Sequence, residues 1–189
     1  MQAFNVGIEI RDQIFGGETV LSGLAWSLGF AALTALGAQV DIPTEPVPFT
    51  LQTFFVMMAG ALLGSRKGAL SMAIYLCLGI IGMPVFASGG FGIARLVGPT
   101  GGYLLAFPVA AWIIGWMVGR GSSFGWTLLS LLLGLLVIFS LGTIQLNLIL
   151  IRNWPRAFEA GFLIFTWWDV LKVVAVASIY KQMRARLGR

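Results

Sequence analysis

Asp169 and Lys172 stand three residues apart inside an otherwise apolar run from Ala160 to Tyr180. On a helix, positions i and i+3 share a face, so this carboxylate and ammonium are close enough to pair, and together they offer a hydrogen-bond acceptor and a donor. A charge at membrane depth costs about 2.5–3.5 kcal/mol on insertion scales, which turns such residues towards a bundle interior or a wet cavity. Two roles fit: a structural ion pair that tightens the bundle, or a polar anchor for a solute. Arg95 is the next residue of this kind. It interrupts an uncharged stretch from Gly68 to Gly119, after Ser88-Gly89-Gly90-Phe91-Gly92 and before Gly98-Pro99-Thr100-Gly101-Gly102-Tyr103. A guanidinium has five fixed N–H donors with which to clamp a carboxylate or carbonyl; a side chain snorkelling to water is the alternative reading. The turn at Thr100 opens a helix whose free N–H groups and positive dipole end attract an anionic group, although glycines also simply make tight turns. Gln52, near the start of a span, either contacts solute or bonds its neighbours.

Several chemistries are excluded. The chain has no histidine and one cysteine, Cys77, inside an apolar run, so the usual Cys/His zinc sites and an internal disulfide are ruled out. There is no acidic cluster for a metal, no P-loop, and no Cys or Ser nucleophile beside a base. No enzyme activity, no catalytic residue and no cofactor is expected, and ATP hydrolysis is not intrinsic. The net charge of +5 does not point to nucleic acid, because the Lys and Arg residues punctuate apolar runs rather than forming one accessible basic surface.

The elements that must position these residues are membrane spans. Hydrophobic residues make up 58% of the 189 and charged ones 10%, with mean hydropathy +0.92, whereas soluble domains carry roughly 25% charged residues. A span needs about 20 apolar residues to cross about 30 Å of hydrocarbon. Thr19–Val40, Pro46–Ser65, Gly68–Ala94, Leu96–Gly119 and Gly121–Ile151 meet that outright, and Ala160–Tyr180 is the sixth despite Asp169 and Lys172. The expected fold is an all-α integral membrane protein, a single domain over 1–189, with spans near 19–40, 48–65, 68–87, 100–119, 124–151 and 160–180. Pro46 and Pro48 delay the second span, and Pro84 and Pro108 are expected to end or kink their helices. Trp167 and Trp168 fit an outer aromatic belt.

With six spans both termini share a side. That side carries Arg11, Arg66, Lys67, Arg120, Lys181, Arg184, Arg186 and Arg189; the other carries Arg95, Arg152 and Arg156 among Asp41, Glu45 and Glu159. The positive-inside bias puts both termini in the cytoplasm. The 41–48, 87–100 and 152–159 loops then face outwards, where a pocket for an external solute belongs. Residues 1–18 mix charges ahead of a run too long for a signal-peptide core, so no cleaved signal is expected. Along the first span Gly23, Ser27, Ala31 and Ala35 recur every fourth residue, a flat face that serves internal packing or contact with a separate subunit.

Taken in order, Pro46-Val47-Pro48-Phe49-Thr50-Leu51-Gln52, Ala59-Gly60-Ala61-Leu62-Leu63-Gly64, Gly82-Met83-Pro84-Val85-Phe86, Gly98-Pro99-Thr100-Gly101-Gly102-Tyr103 and Asp169-Val170-Leu171-Lys172 resemble the BioY family over nearly the whole chain. These are biotin-specific substrate-capture subunits of energy-coupling factor transporters. The resemblance implies a six-helix protein of the prokaryotic inner membrane that captures biotin near the extracytoplasmic face. It implies partners too: a transmembrane coupling protein and two cytoplasmic ATPases, with Gly23, Ser27, Ala31 and Ala35 as the contact face. It places the polar binding residues at Arg95, Asp169 and Lys172, with Gln52, Thr100 and Tyr103 nearby. Asp169 would accept from the ureido ring while Lys172 or Arg95 donates to its carbonyl. The sequence departs from the family pattern around Ser140–Arg156, with Gln145 and Asn147 in span five. Capture of thiamine or riboflavin, and a membrane scaffold without a solute, are the rival readings.

Overall fold

The computed structural model describes residues 20–121, 123–163 and 166–187. The segment expected to persist ahead of the first span, and Arg11 and Arg189 of the charge asymmetry, lie outside the described residues.

Helix α1, Val20–Gln39, buries Gly23, Ser27, Phe30, Ala31, Thr34, Gly37 and Ala38, residues that recur at the three- and four-residue spacing of one helical face. Hydroxyls on that face turn back onto the helix: Ser27 Oγ donates to Gly23 O at 3.0 Å and Thr34 Oγ1 to Phe30 O at 2.8 Å. The chain then forms a short antiparallel ribbon, β1 (Asp41–Ile42) with β2 (Phe49–Thr50), in the register Asp41 opposite Thr50 and Ile42 opposite Phe49. Thr44 Oγ1 donates to Val47 O across its proline-rich turn at 2.8 Å. The next helix therefore starts at Gln52, later than the expected 48, because Pro46 and Pro48 hold the backbone extended and residues 49–50 are taken by strand pairing.

Helix α2, Gln52–Ile80, is two helical limbs joined at Gly64, where the chain reverses direction and whose φ of 79° and ψ of −178° are open only to glycine. The Gln52 amide hydrogen-bonds the Tyr75 hydroxyl 23 residues away, which a straight helix would hold roughly 35 Å apart. The limbs 52–63 and 65–80 are thus antiparallel neighbours, and a Cβ on Gly68 would lie 3.0 Å from Gly60 Cα. Arg66 and Lys67 sit at the reversal, where the charge count placed a basic loop.

Helix α2 ends at Ile80, not at the expected 87, with Pro84 beyond it. A 3-10 turn at Ala87–Gly89 and the short helix α3, Ile93–Val97, lead into α4, Gly101–Val118. Pro108 sits inside α4 without ending it. Helix α5, Phe124–Leu146, starts on Ser123 Oγ, which accepts from Trp126 N at 3.1 Å. It runs on through a π-helical turn, Asn147–Ile151, to Arg152 in the left-handed conformation at φ 51°. Amphipathic α6, Trp154–Gly161, is capped by Asn153. Helix α7, Thr166–Leu187, carries Asp169 and Lys172. The expected span 160–180 is accordingly two helices, with α6 closing at Gly161 and α7 reaching seven residues further than expected.

Glycine contacts hold the centre tight. A Cβ on Gly115 of α4 would run into the α2 backbone at Gly64–Ser65, and one on Gly102 into the α5 backbone at Leu141. Val20–Gln39, Gly101–Val118 and Phe124–Ile151 are long and apolar enough to cross a membrane. Their outward faces expose Leu24, Leu28, Leu36, Leu105, Trp112, Leu132 and Leu136, a surface suited to lipid rather than water. Gly64→Ala is expected to lower the stability of the detergent-solubilised protein by about 1–3 kcal/mol. Gly29→Ala, facing open space on α1, leaves it unchanged or raises it by up to about 1 kcal/mol. Thermal unfolding of the two variants checks this, and equal destabilisation would contradict the role given to Gly64.

Candidate functional site

The β-ribbon and its turn, residues of the 81–100 connection and helices α2, α4, α5 and α7 line an open-mouthed cavity. Val47, Phe86, Leu104, Phe107, Ile138 and Phe139 supply apolar walls. All six residues singled out as polar candidates, Gln52, Arg95, Thr100, Tyr103, Asp169 and Lys172, line this one space.

Asp169 is only 2% exposed. Its Oδ1 accepts from Thr53 Oγ1 at 2.7 Å and from Lys172 Nζ at 3.1 Å, while its Oδ2 is buried with no hydrogen-bond partner. Lys172 Nζ also donates to Thr53 Oγ1 at 2.9 Å and to the Thr50 carbonyl at 2.7 Å. An ammonium has three N–H donors, and these three bonds occupy all of them. In this arrangement Lys172 ties α7 to the start of α2 and to the end of the ribbon, with all three donors engaged.

Arg95 is the opposite case. It lies exposed on α3 with its guanidinium against Gly90, and among the described residues that group makes no hydrogen bond or ion pair. Thr100 Oγ1 reaches Arg95 O at 3.5 Å, a long contact that closes the turn before α4. Gln52 accepts from Thr50 Oγ1 at 2.8 Å and gives one amide N–H to Tyr75, which passes its own proton to Val85 O at 3.1 Å. The second amide N–H of Gln52 is unengaged among the described residues. Tyr103 donates to Gly161 O at 2.7 Å, so its hydroxyl secures α6 and its ring is wall.

Among the residues that line the cavity, Asp169 thus keeps an acceptor without a partner at Oδ2, Gln52 a second N–H and Arg95 its guanidinium donors. A solute with N–H groups at one end, an anion at the other and an apolar body between them satisfies all three. Thr53, Thr50 and Tyr75, absent from the sequence candidates, complete the polar frame. Thr53 lies 116 residues from Asp169, a separation over which local spacing carries no signal. Gln145 is not a wall residue: its Nε2 donates to Leu96 O at 2.7 Å and Gly98 O at 2.8 Å, capping α3 from outside. Asn147 is buried in the π-helical turn.

The α1 stripe packs within the chain. Gly23, Ser27 and Ala31 are buried against α2, where Gly23 meets the Lys67 side chain and Ser27 Oγ reaches Lys67 O at 3.3 Å, and Ala35 is half-buried against the same core. That face is already covered from within the chain.

A helical membrane protein with a small-molecule cavity is the class these features define. Residues 11–189 match the BioY family, and the chain belongs to it. It is 43% identical to the biotin transporter BioY of Thermotoga maritima over 155 residues, 82% of this chain and 91% of the relative. It is 44% identical to the probable biotin transporter BioY of Pyrococcus horikoshii over 155 residues, with the same coverage. The fold matches the 2.1 Å crystal structure of the S-component for biotin from an ECF-type ABC transporter with a TM-score of 0.82 at 28% identity, covering 89% of this chain and 95% of that one. These relatives are transporter components, not enzymes.

Removing Lys172 strands the buried Asp169 charge. Lys172→Met is expected to destabilise the ligand-free protein by about 3–5 kcal/mol, with most of the loss recovered in Lys172→Met/Asp169→Asn. Thermal unfolding of the single and double variants checks it; a double variant no better than Lys172→Met would break the pairing.

Proposed function

We propose that this protein captures biotin at the outer face of a prokaryotic inner membrane, as the substrate-binding subunit of an energy-coupling factor transporter. One observation carries the reading: in a chain of the BioY family, the cavity pairs an unpartnered buried carboxylate oxygen with an unpartnered guanidinium across apolar walls. Biotin's ureido ring offers N–H donors to Asp169 Oδ2 and a carbonyl to the free amide N–H of Gln52. Its fused rings and valeryl chain rest on Phe86, Phe107 and Phe139. Its carboxylate lies towards Arg95 and the positive N-terminal end of α4, next to Thr100.

The chain crosses the membrane six times as one domain, through α1, the two limbs of α2, α4, α5 and α7, with both termini cytoplasmic. Arg66, Lys67, Arg120 and Lys181 then fall on the inner side by the positive-inside bias. The ribbon and residues 86–100, which wall the cavity, fall on the outer side where solute arrives. A transmembrane coupling protein and two cytoplasmic ATPases supply the energy, a reading supported by the likeness to an S-component of an ECF-type ABC transporter. With Gly23, Ser27 and Ala31 packed internally, the part of α1 open to the coupling protein is the exposed face carrying Ala25, Gly29 and Ala32.

Isothermal titration of the detergent-solubilised protein tests the assignment. Biotin is expected to bind at nanomolar to low-micromolar concentration, and Asp169→Asn and Arg95→Ala are each expected to weaken it roughly tenfold to hundredfold, the scale of a lost charge-assisted hydrogen bond. Retention of thiamine or riboflavin with no response to biotin would overturn the assignment.

A further inference from the structure

We propose that Thr53 is a positioning residue for the solute, holding the Asp169 carboxylate, whose residue lines the cavity, in the one orientation that leaves Oδ2 without a protein partner; this rests on the biotin reading above. The proton directions around Thr53 are fixed by chemistry. An ammonium has no lone pair, so at 2.9 Å the Thr53 oxygen accepts from Lys172 Nζ. The single hydroxyl proton then goes to Asp169 Oδ1, at 2.7 Å. Lys172 reaches the same Oδ1 at 3.1 Å. Both donors therefore meet one oxygen of the carboxylate, and the other, Oδ2, is buried with no partner.

A carboxylate has two chemically equivalent oxygens and a broad, nearly two-fold torsion at its end. With Lys172 alone, the salt bridge forms equally well through either oxygen. Thr53 removes that equivalence, because it stands in the first turn of α2, buried, and meets α7 from the cavity wall. It also keeps Lys172 engaged: with the ammonium bonded to Thr50 O, Thr53 and Oδ1, no N–H remains to swing across and close Oδ2. The hydroxyl touches no solute in this scheme and acts through the carboxylate. A side chain that only stabilised the buried pair would serve equally well with Oδ2 occupied.

Thr53→Val keeps the shape of the side chain and removes the hydroxyl; Thr53→Ser keeps the hydroxyl. Isothermal titration with biotin is expected to show Thr53→Val weaker by roughly tenfold to hundredfold and Thr53→Ser within about threefold of the parent chain. The Thr53→Val loss should disappear in an Asp169→Asn background and persist in an Arg95→Ala background, because coupled neighbours are non-additive and distant groups are additive. Normal binding by Thr53→Val, equal loss in Thr53→Ser, or a full further loss on top of Asp169→Asn would each overturn the inference. Should the parent chain bind no biotin, the functional reading fails, and infrared difference spectroscopy of the ligand-free protein decides the positioning. The carboxylate stretching band that Asp169→Asn removes is expected to shift in Thr53→Val and not in Thr53→Ser; an unshifted band would overturn it.

Discussion

A carboxylate excluded from water survives ionised only where cations and hydroxyls stand in for solvent, and Asp169, 2% exposed on α7, is this protein's case. The groups gathered here come from two distant stretches of chain: Lys172 one turn along α7 and Thr53 at the start of α2 bond the carboxylate, and the Thr50 carbonyl, three residues before Thr53, is held through the same ammonium. Much of the surrounding architecture follows from gathering these groups. Helix α2 has to begin at the cavity wall, so the proline-rich ribbon runs extended to residue 50. It also has to fold back on itself, so that Tyr75 can meet Gln52, and Gly64 provides the reversal. The glycines at 60, 102 and 115 let α4 sit close enough to α2 and α5 to shut the bundle beneath the site.

The satisfied groups of this frame are as informative as the free ones. Lys172, Tyr103 and the Thr50 hydroxyl all have their protons committed to the protein, whereas Asp169 Oδ2, one Gln52 N–H and the Arg95 guanidinium have no protein partner among the described residues. Buried groups left without partners discriminate strongly, because a molecule that fails to pair them inherits their desolvation penalty. That penalty attaches to the buried Asp169 and Gln52 and not to Arg95, which is exposed.

How much of this was legible in the sequence differs residue by residue. Asp169, Lys172 and Arg95 stood out because charge in an apolar run is costly, and the structure brings them to one cavity with Gln52, Thr100 and Tyr103. The role of Lys172 was not legible, since counting its donors requires Thr50 and Thr53, which lie 122 and 119 residues away. The α1 stripe of Gly23, Ser27 and Ala31 was visible as a flat face, but periodicity names a face and not its occupant, and the occupant is α2 of the same chain. Hydropathy located the helical segments and missed their ends: it does not register strand pairing at 49–50, the close of α2 at Ile80 or the break after Gly161. The reversal between the limbs of α2 was legible, because Arg66 and Lys67 interrupt the apolar run there; that it turns on Gly64 was not, because one glycine among 25 carries no mark of its φ.

The central claim is that the free oxygen of Asp169, and not the ammonium of Lys172, meets the polar head of the solute. An experimental structure of the protein with biotin bound tests it most directly. The account predicts a ureido nitrogen within hydrogen-bond distance of Asp169 Oδ2, the carboxylate beside Arg95, and Lys172 still bonded to Thr50 O and Thr53. Biotin lying with its carboxylate on Lys172, or that ammonium drawn away from Thr50 and Thr53 towards the ligand, would contradict it.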